Sequence, residues 1–150
     1  MSDPQVLATN RRAFRDYFID ETLESGIALV GSEIKSARAG QINLKESYAA
    51  IRDRQAWLLG AHIAPYNPAS GQNHEPTRDR RLLLHRREII RLSDQLQQKG
   101  YTLVPLRVYL KRNHIKLELG LARGKKQFDK RQVIAEHDAK REIERAIKYR

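Results

Sequence analysis

A chain of 150 residues with 40% hydrophobic side chains can form one folded domain but is too short for two ordinary domains and a linker. Its 29 Lys and Arg exceed its 18 Asp and Glu, and the formal net charge of +11 attracts polyanions, unlike the balanced surface of a typical cytosolic enzyme. The absence of cysteine excludes disulfides, thiolate metal sites and cysteine nucleophiles, and no stretch approaches the roughly 18 apolar residues that span a bilayer.

In chain order, residues 1–10 lack periodicity and contain Pro4, which predicts a frayed lead-in. The aromatic side chains Phe14, Tyr17 and Phe18 predict a strand over Ala13 to Ile19. A second short strand is expected over Gly26 to Val30, pairing with the first across the acidic connection Asp20 to Ser25. Next, SEIKSARAG starts with Ser32, a helix-capping residue type, and ends at Gly40, which suits a left-handed C-terminal cap.

Two apolar runs, Tyr48 to Arg52 and Ala56 to Ile63, flank the polar RDRQ and predict a hairpin. Pro65, Pro68, Gly71 and Pro76 then punctuate a long loop that ends in an arginine-rich run. In LLLHRREIIRLSDQLQQKG, Ile89, Leu92 and Leu96 fall at helical spacing and Gly100 ends the pattern. Two more β-rich runs, Tyr101 to Leu110 and His114 to Leu121, are joined by a turn at Asn113.

Five or six strands with a helix before the last pair predict a mainly β fold with α, a small OB-like antiparallel β-barrel with two or three helices over residues 1–124. Residues 125–150 follow as a basic C-terminal tail. There Ala135, Ala139, Ile143 and Ile147 recur every four residues, a stripe too thin to hold an isolated helix. The tail is expected to be flexible when free and helical when bound.

The charge excess is regional. Residues 1–55 hold 8 basic and 8 acidic side chains, residues 56–124 hold 12 and 5, and residues 125–150 hold 9 and 5. The densest run is Arg78, Arg80, Arg81, Arg86, Arg87 and Arg91. A charge run is often a solvated face, but two separate basic regions point toward nucleic acid. Catalytic signatures are missing: there is no nucleophile elbow, P-loop, HExxH or dinucleotide-binding glycine pattern. His62, His74, His85, His114 and His137 are scattered without metal-ligand spacing. No enzyme activity, metal or cofactor is expected.

Seven segments in order, NRRAFRDYFI, ESGIALVGSEIKSARAG, HIAPY, RRLLLHRREI, KGYTLVPLRVYLK, GLARGKK and DKR, together resemble the SsrA-binding protein family over residues 10 to about 131. The chain departs from the common pattern at Ala37, where a larger aliphatic is usual, and at Arg123, where lysine is frequent. The resemblance implies a cytoplasmic RNA-binding adaptor of ribosome rescue that stands in for a missing anticodon arm while its tail probes the empty messenger path. Its partners would be transfer-messenger RNA, through the tRNA-like domain, and the small-subunit decoding centre and mRNA path of a stalled ribosome. It would act as a monomer, one protein per RNA, with no membrane partner.

Positions matching the family's RNA-contacting elements are Asn10, Glu24, Glu33, Lys35, His62, Arg80, Arg81, Arg86 and Arg87. The arginines would hold phosphates, and the polar groups would bond ribose or base edges. For Glu24 and Glu33, the alternative is a helix or turn salt bridge. In the tail, the resemblance implies decoding-centre contacts from Lys125, Lys126, Asp129, Lys130 and Arg131. Arg141, Arg145 and Lys148 continue the basic pattern, and a local ion pair is the alternative for Asp129. Two rival readings remain at this point: a ribosomal-protein-like or general single-stranded RNA-binding OB domain, which predicts the same charge, and a small nuclease, which would need a metal or general-base cluster.

Overall fold

The computed structural model describes residues 5–66, 73–98 and 100–125. Its elements are β1 (Gln5–Thr9), α1 (Arg11–Asp16), β2 (Tyr17–Ile27), α2 (Gly31–Arg38), β3 (Ile42–Asn43), β4 (Tyr48–Arg52), β5 (Gln55–Leu59), β6 (His62–Ile63), β7 (Arg80–Leu83), α3 (Arg86–Leu96), β8 (Tyr101–Lys111) and β9 (His114–Gly124). The expected class, mainly β with α, is observed. The described residues hold more strands than the five or six expected, because β1 lies in the expected lead-in, β3 and β6 are only two residues long, and β7 takes Leu82 and Leu83 from the start of the segment read as helical.

All pairings are antiparallel. The main sheet runs β1-β8-β4-β5-β7-β2-β9, and β8 also pairs with β9, so six of its strands form a closed circuit of pairings with β1 added outside. β3 and β6 form a separate two-stranded sheet. Inside the circuit, alternate strand residues pack a core that includes Leu58, Leu82, Leu103, Leu117 and Leu119, capped by Leu92 from α3. In β8 and β9 both faces are buried over part of their length, because Val104, Leu106 and Ala122 form a second cluster with Ala13 of α1, while Leu103, Leu117 and Leu119 belong to the main core.

Several local expectations are corrected. Gln5–Thr9 is not frayed but pairs with β8. The predicted strand over Ala13 to Ile19 divides into α1 and the start of β2. Asn10 begins the helical turn, its Oδ1 accepting from the Ala13 N–H at 3.3 Å. The acidic stretch Asp20 to Ser25 is not a turn between two strands. It lies inside the single 11-residue β2, with Asp20, Thr22 and Glu24 exposed while Ser25 and Ile27 are buried. Charged residues alternating with inward ones make a half-solvated strand, and β9 pairs with it from Tyr17 to Gly26 with one irregularity at Asp20.

Ser32 does not cap α2. The cap residue is Val30, whose N–H donates to Glu33 Oε1 at 3.0 Å, and Gly40 takes the expected left-handed conformation at φ +78°. The predicted run Ala56 to Ile63 breaks at Gly60, whose φ is +76°. A Cβ there would lie 2.8 Å from the Glu46 carbonyl oxygen, so only glycine fits. The turns at Asp53–Arg54 and Arg112–Asn113 both use two positive-φ residues, matching the twist of two-residue hairpins.

Candidate nucleic-acid interface

The outward face of three neighbouring strands carries the first cluster. Cross-strand register places Glu24 of β2 opposite Glu118 of β9, and Glu118 opposite Arg107 of β8. Two positions along, Tyr109 of β8 faces Lys116 of β9. The Tyr109 hydroxyl donates to Glu24 Oε2 at 2.5 Å, and Lys111 Nζ donates to the same oxygen at 3.2 Å. The Tyr109 bond, with the Lys111 and Lys116 charges, outweighs partial burial and holds the Glu24 carboxyl below the usual carboxylate range. Burial and the neighbouring Glu24 carboxylate push the Tyr109 hydroxyl well above its ordinary value, so it stays a donor. Arg107 Nη1 approaches Glu118 Oε1 at 3.6 Å, which offsets two carboxylates facing each other across strands.

This face continues into a groove of about 210 Å³ at the end of β2, lined by Gly26, Leu29, Ile34, Leu83, His114 and Lys116 among others. Gly26 and Lys116 are register partners, which joins the groove to the Glu24 cluster. A Cβ on Gly26 would come within 3.0 Å of Leu83 Cβ, so the missing side chain lets Leu83 lie close over the strand. Leu83 is 49% exposed and Ile34 39%, large apolar side chains left open beside cations.

A second group surrounds α2. Lys35 Nζ sits 5.6 Å from the centre of the exposed Tyr66 ring, a cation–π contact, and His62 is exposed on β6. Behind them Glu33 is fully buried. It accepts from Arg78 Nη2 at 2.5 Å and from Arg80 Nε at 2.6 Å. Arg80 is also fully buried and donates to the carbonyls of Ala61 and Pro76. Ser32 Oγ meets His74 Nδ1 at 2.8 Å, and His74 Nε2 meets the Ile63 carbonyl at 2.8 Å, pinning α2 and β6 together.

A third group is Arg81, exposed on β7, with Arg86 and Arg87 exposed at the start of α3. Cations in the first turn of a helix oppose the helix dipole, so these two arginines do not serve helix stability. Arg86 also lines an open groove with Ile51, Asp53, Arg54 and Ile90.

The expected sites therefore divide. Glu24, Lys35, His62, Arg81, Arg86 and Arg87 reach the surface. Three do not. Arg80 and Glu33 face inward because the strand alternation of β7 and the buried side of α2 turn them toward each other, and the ion pairs of Glu33 are with Arg78 and Arg80, distant in the chain, rather than within its own helix or turn. Asn10 is 6% exposed, and its amide is committed to the Ala13 N–H and the Pro105 carbonyl. Lys125 donates to the Phe14 carbonyl at 3.3 Å and lies 5.3 Å from the Phe18 ring centre, so it contacts the folded head. Lys126, Asp129, Lys130, Arg131, Arg141, Arg145 and Lys148 lie outside the described residues.

Sequence reading missed Tyr109, Lys111, Lys116 and His114 as one face. Period-two alternation in RVYLK and HIKLE carries that signal, because alternate residues of adjacent strands point the same way. Leu83 and Ile34 had no such signal, since apolar residues within apolar runs look like core. Among the described residues, no group of three His, Asp or Glu could hold a metal ion, and no helix is long and apolar enough to cross a membrane.

The family model described as SmpB protein matches residues 7–149. The SsrA-binding protein of Roseiflexus sp. (strain RS-1) is 60% identical over 147 residues, covering 97% of this chain and 93% of that protein. The SsrA-binding protein of Shouchella clausii (strain KSM-K16) is 54% identical over 149 residues, covering 99% and 96%. A chain of the solved structure described as "tmRNA-SmpB: a journey to the center of the bacterial ribosome" aligns with a TM-score of 0.66 and 50% identity, over 79% of this chain and 83% of that one.

Proposed function

Taking as premise that this chain belongs to the SmpB protein family, we propose that it binds transfer-messenger RNA and carries it to stalled ribosomes as a non-catalytic adaptor of trans-translation. The observation that carries this reading is the continuity of the Glu24 carboxylate, the lysines around it and the open apolar groove at Leu83. Cations alone bind any polyanion. A charged acceptor set among them repels phosphates unless it receives a base or ribose donor, and an apolar groove accepts an unstacked base. That combination selects a folded RNA with exposed bases over plain duplex.

On this reading the closed circuit of strands is an OB-like barrel that stands in for an anticodon arm. Lys35 with Tyr66, His62, Arg81, Arg86 and Arg87 extend the contact to neighbouring phosphates and sugars. Residues 125–150 probe the empty mRNA path and decoding centre, so that translation resumes on the tag frame and the product is marked for degradation. The protein works in the cytoplasm as a monomer, one per RNA. A general single-stranded RNA-binding domain is the competing reading. It lacks a reason for a fixed carboxylate at the centre of the basic face.

Purifying the protein from cells and sequencing the RNA that comes with it tests the proposal. One dominant small RNA with a tRNA-like half is the expected result, and a broad mixture of single-stranded RNAs would overturn it. Incubation with labelled RNA adds a check on the adaptor role, because cleavage would mark a nuclease.

A further inference from the structure

We propose that Tyr109 is a positioning residue for RNA recognition, acting through Glu24 by fixing its carboxylate in the orientation that receives an RNA donor. The inference rests on the reading that Glu24 is an RNA-facing acceptor. Both donors to this carboxylate, the Tyr109 hydroxyl and Lys111 Nζ, converge on Oε2. Among the described residues no donor bonds to Oε1, and Glu24 is exposed on the outer face of β2. A carboxylate held by one oxygen presents the other in a defined direction. A freely rotating one would lose side-chain entropy on binding.

The charged groups facing Glu24 fit this role. From β8 come Tyr109, Lys111 and, beyond them, Arg107; from β9 come Lys116 and Glu118. Glu118 is occupied by Arg107 at 3.6 Å. Glu24 thus stays ionised among cations that would otherwise attract phosphate to the same spot. Tyr109 is 9% exposed and sits beneath this face, so it meets the carboxylate with its hydroxyl rather than presenting its ring to the RNA. The donor that fits Oε1 is a base amino or imino group or a ribose hydroxyl, the donors that distinguish nucleoside surfaces from phosphate.

The test is a double-mutant cycle on the full chain, with the tRNA-like domain of transfer-messenger RNA as probe: Glu24→Gln, Tyr109→Phe and both together, each checked for an unchanged melting profile. Tyr109→Phe is expected to weaken binding by about tenfold, the scale of a hydrogen bond to a charged group. In the Glu24→Gln background it is expected to have no further effect. Its binding is also expected to fail at a higher pH than wild type as the carboxylate protonates, a shift that loss of packing alone would not produce. Equal weakening in both backgrounds would overturn the proposal, since Tyr109 would then act on the fold or touch the RNA directly. If Glu24→Gln weakens binding but Tyr109→Phe does not, positioning fails while the acceptor reading survives. If Glu24→Gln has no effect, both fall together.

Discussion

Glu33 and Arg80 are both fully buried and meet at 2.6 Å, with Arg78 closing the other side of the carboxylate. Burial alone pushes the Glu33 carboxyl up, but bonds from Arg78, the Val30 N–H and Arg80 outweigh it and leave the group below its ordinary range. A depressed folded-state value means that the stabilisation is complete above the unfolded pKa. It is lost as pH falls through the folded one. Glu33→Gln is expected to cost about 3–5 kcal/mol at neutral pH, because it leaves Arg80 buried and unpaired. Denaturant titration measures the loss, and the variant's stability should fall less than wild type's on acidification.

Asn10 ties three backbone groups together: its N–H donates to the Leu106 carbonyl, and its amide bonds Ala13 N–H and the Pro105 carbonyl. Asn10→Ala is expected to cost about 1–2 kcal/mol, the range for a lost helix cap. Thermal unfolding followed by circular dichroism checks it, and an unchanged midpoint would show that water replaces the amide.

Leu83 separates binding from folding. Because it is 49% exposed, Leu83→Ala is expected to change stability by no more than about 0.5 kcal/mol. The same change should weaken RNA binding several-fold by removing the apolar wall of the groove. Filter-binding affinity beside a melting curve distinguishes the two effects.

Arg81, Arg86 and Arg87 are expected to act through phosphates. Replacing all three with alanine should weaken binding and flatten the slope of log affinity against log salt by about 2–3 units, one released counterion per lost contact. Arg80 is left out of this variant because its side chain is inside. An unchanged slope would show that the three arginines face away from the RNA.

Truncation after Lys125 keeps the contacts that this residue makes with Phe14 and Phe18. The shortened protein is expected to retain most of its affinity for transfer-messenger RNA and to lose tagging of stalled products. Reconstituted tagging beside a binding assay reads both, and equal loss of the two activities would refute the separation of roles.

Much of this protein is written in local pattern. The helical spacing of Ile89, Leu92 and Leu96, the turn at Asn113 and the hairpin around RDRQ all appear as expected, since each depends on residues a few positions apart. The basic balance and the ordered motifs likewise needed no coordinates to point at RNA and at a family.

Tertiary structure decided what neighbours in space impose. Gln5–Thr9 becomes a strand because β8 offers it an edge, and the acidic stretch of β2 stays extended because β9 pairs along it. Arg80 and Arg81 are chemically identical and adjacent, yet one is buried against Glu33 and the other exposed. Strand register turns successive side chains to opposite faces. Which face meets a carboxylate depends on a helix more than 40 residues away in the chain, a distance over which composition and motif carry no information about direction.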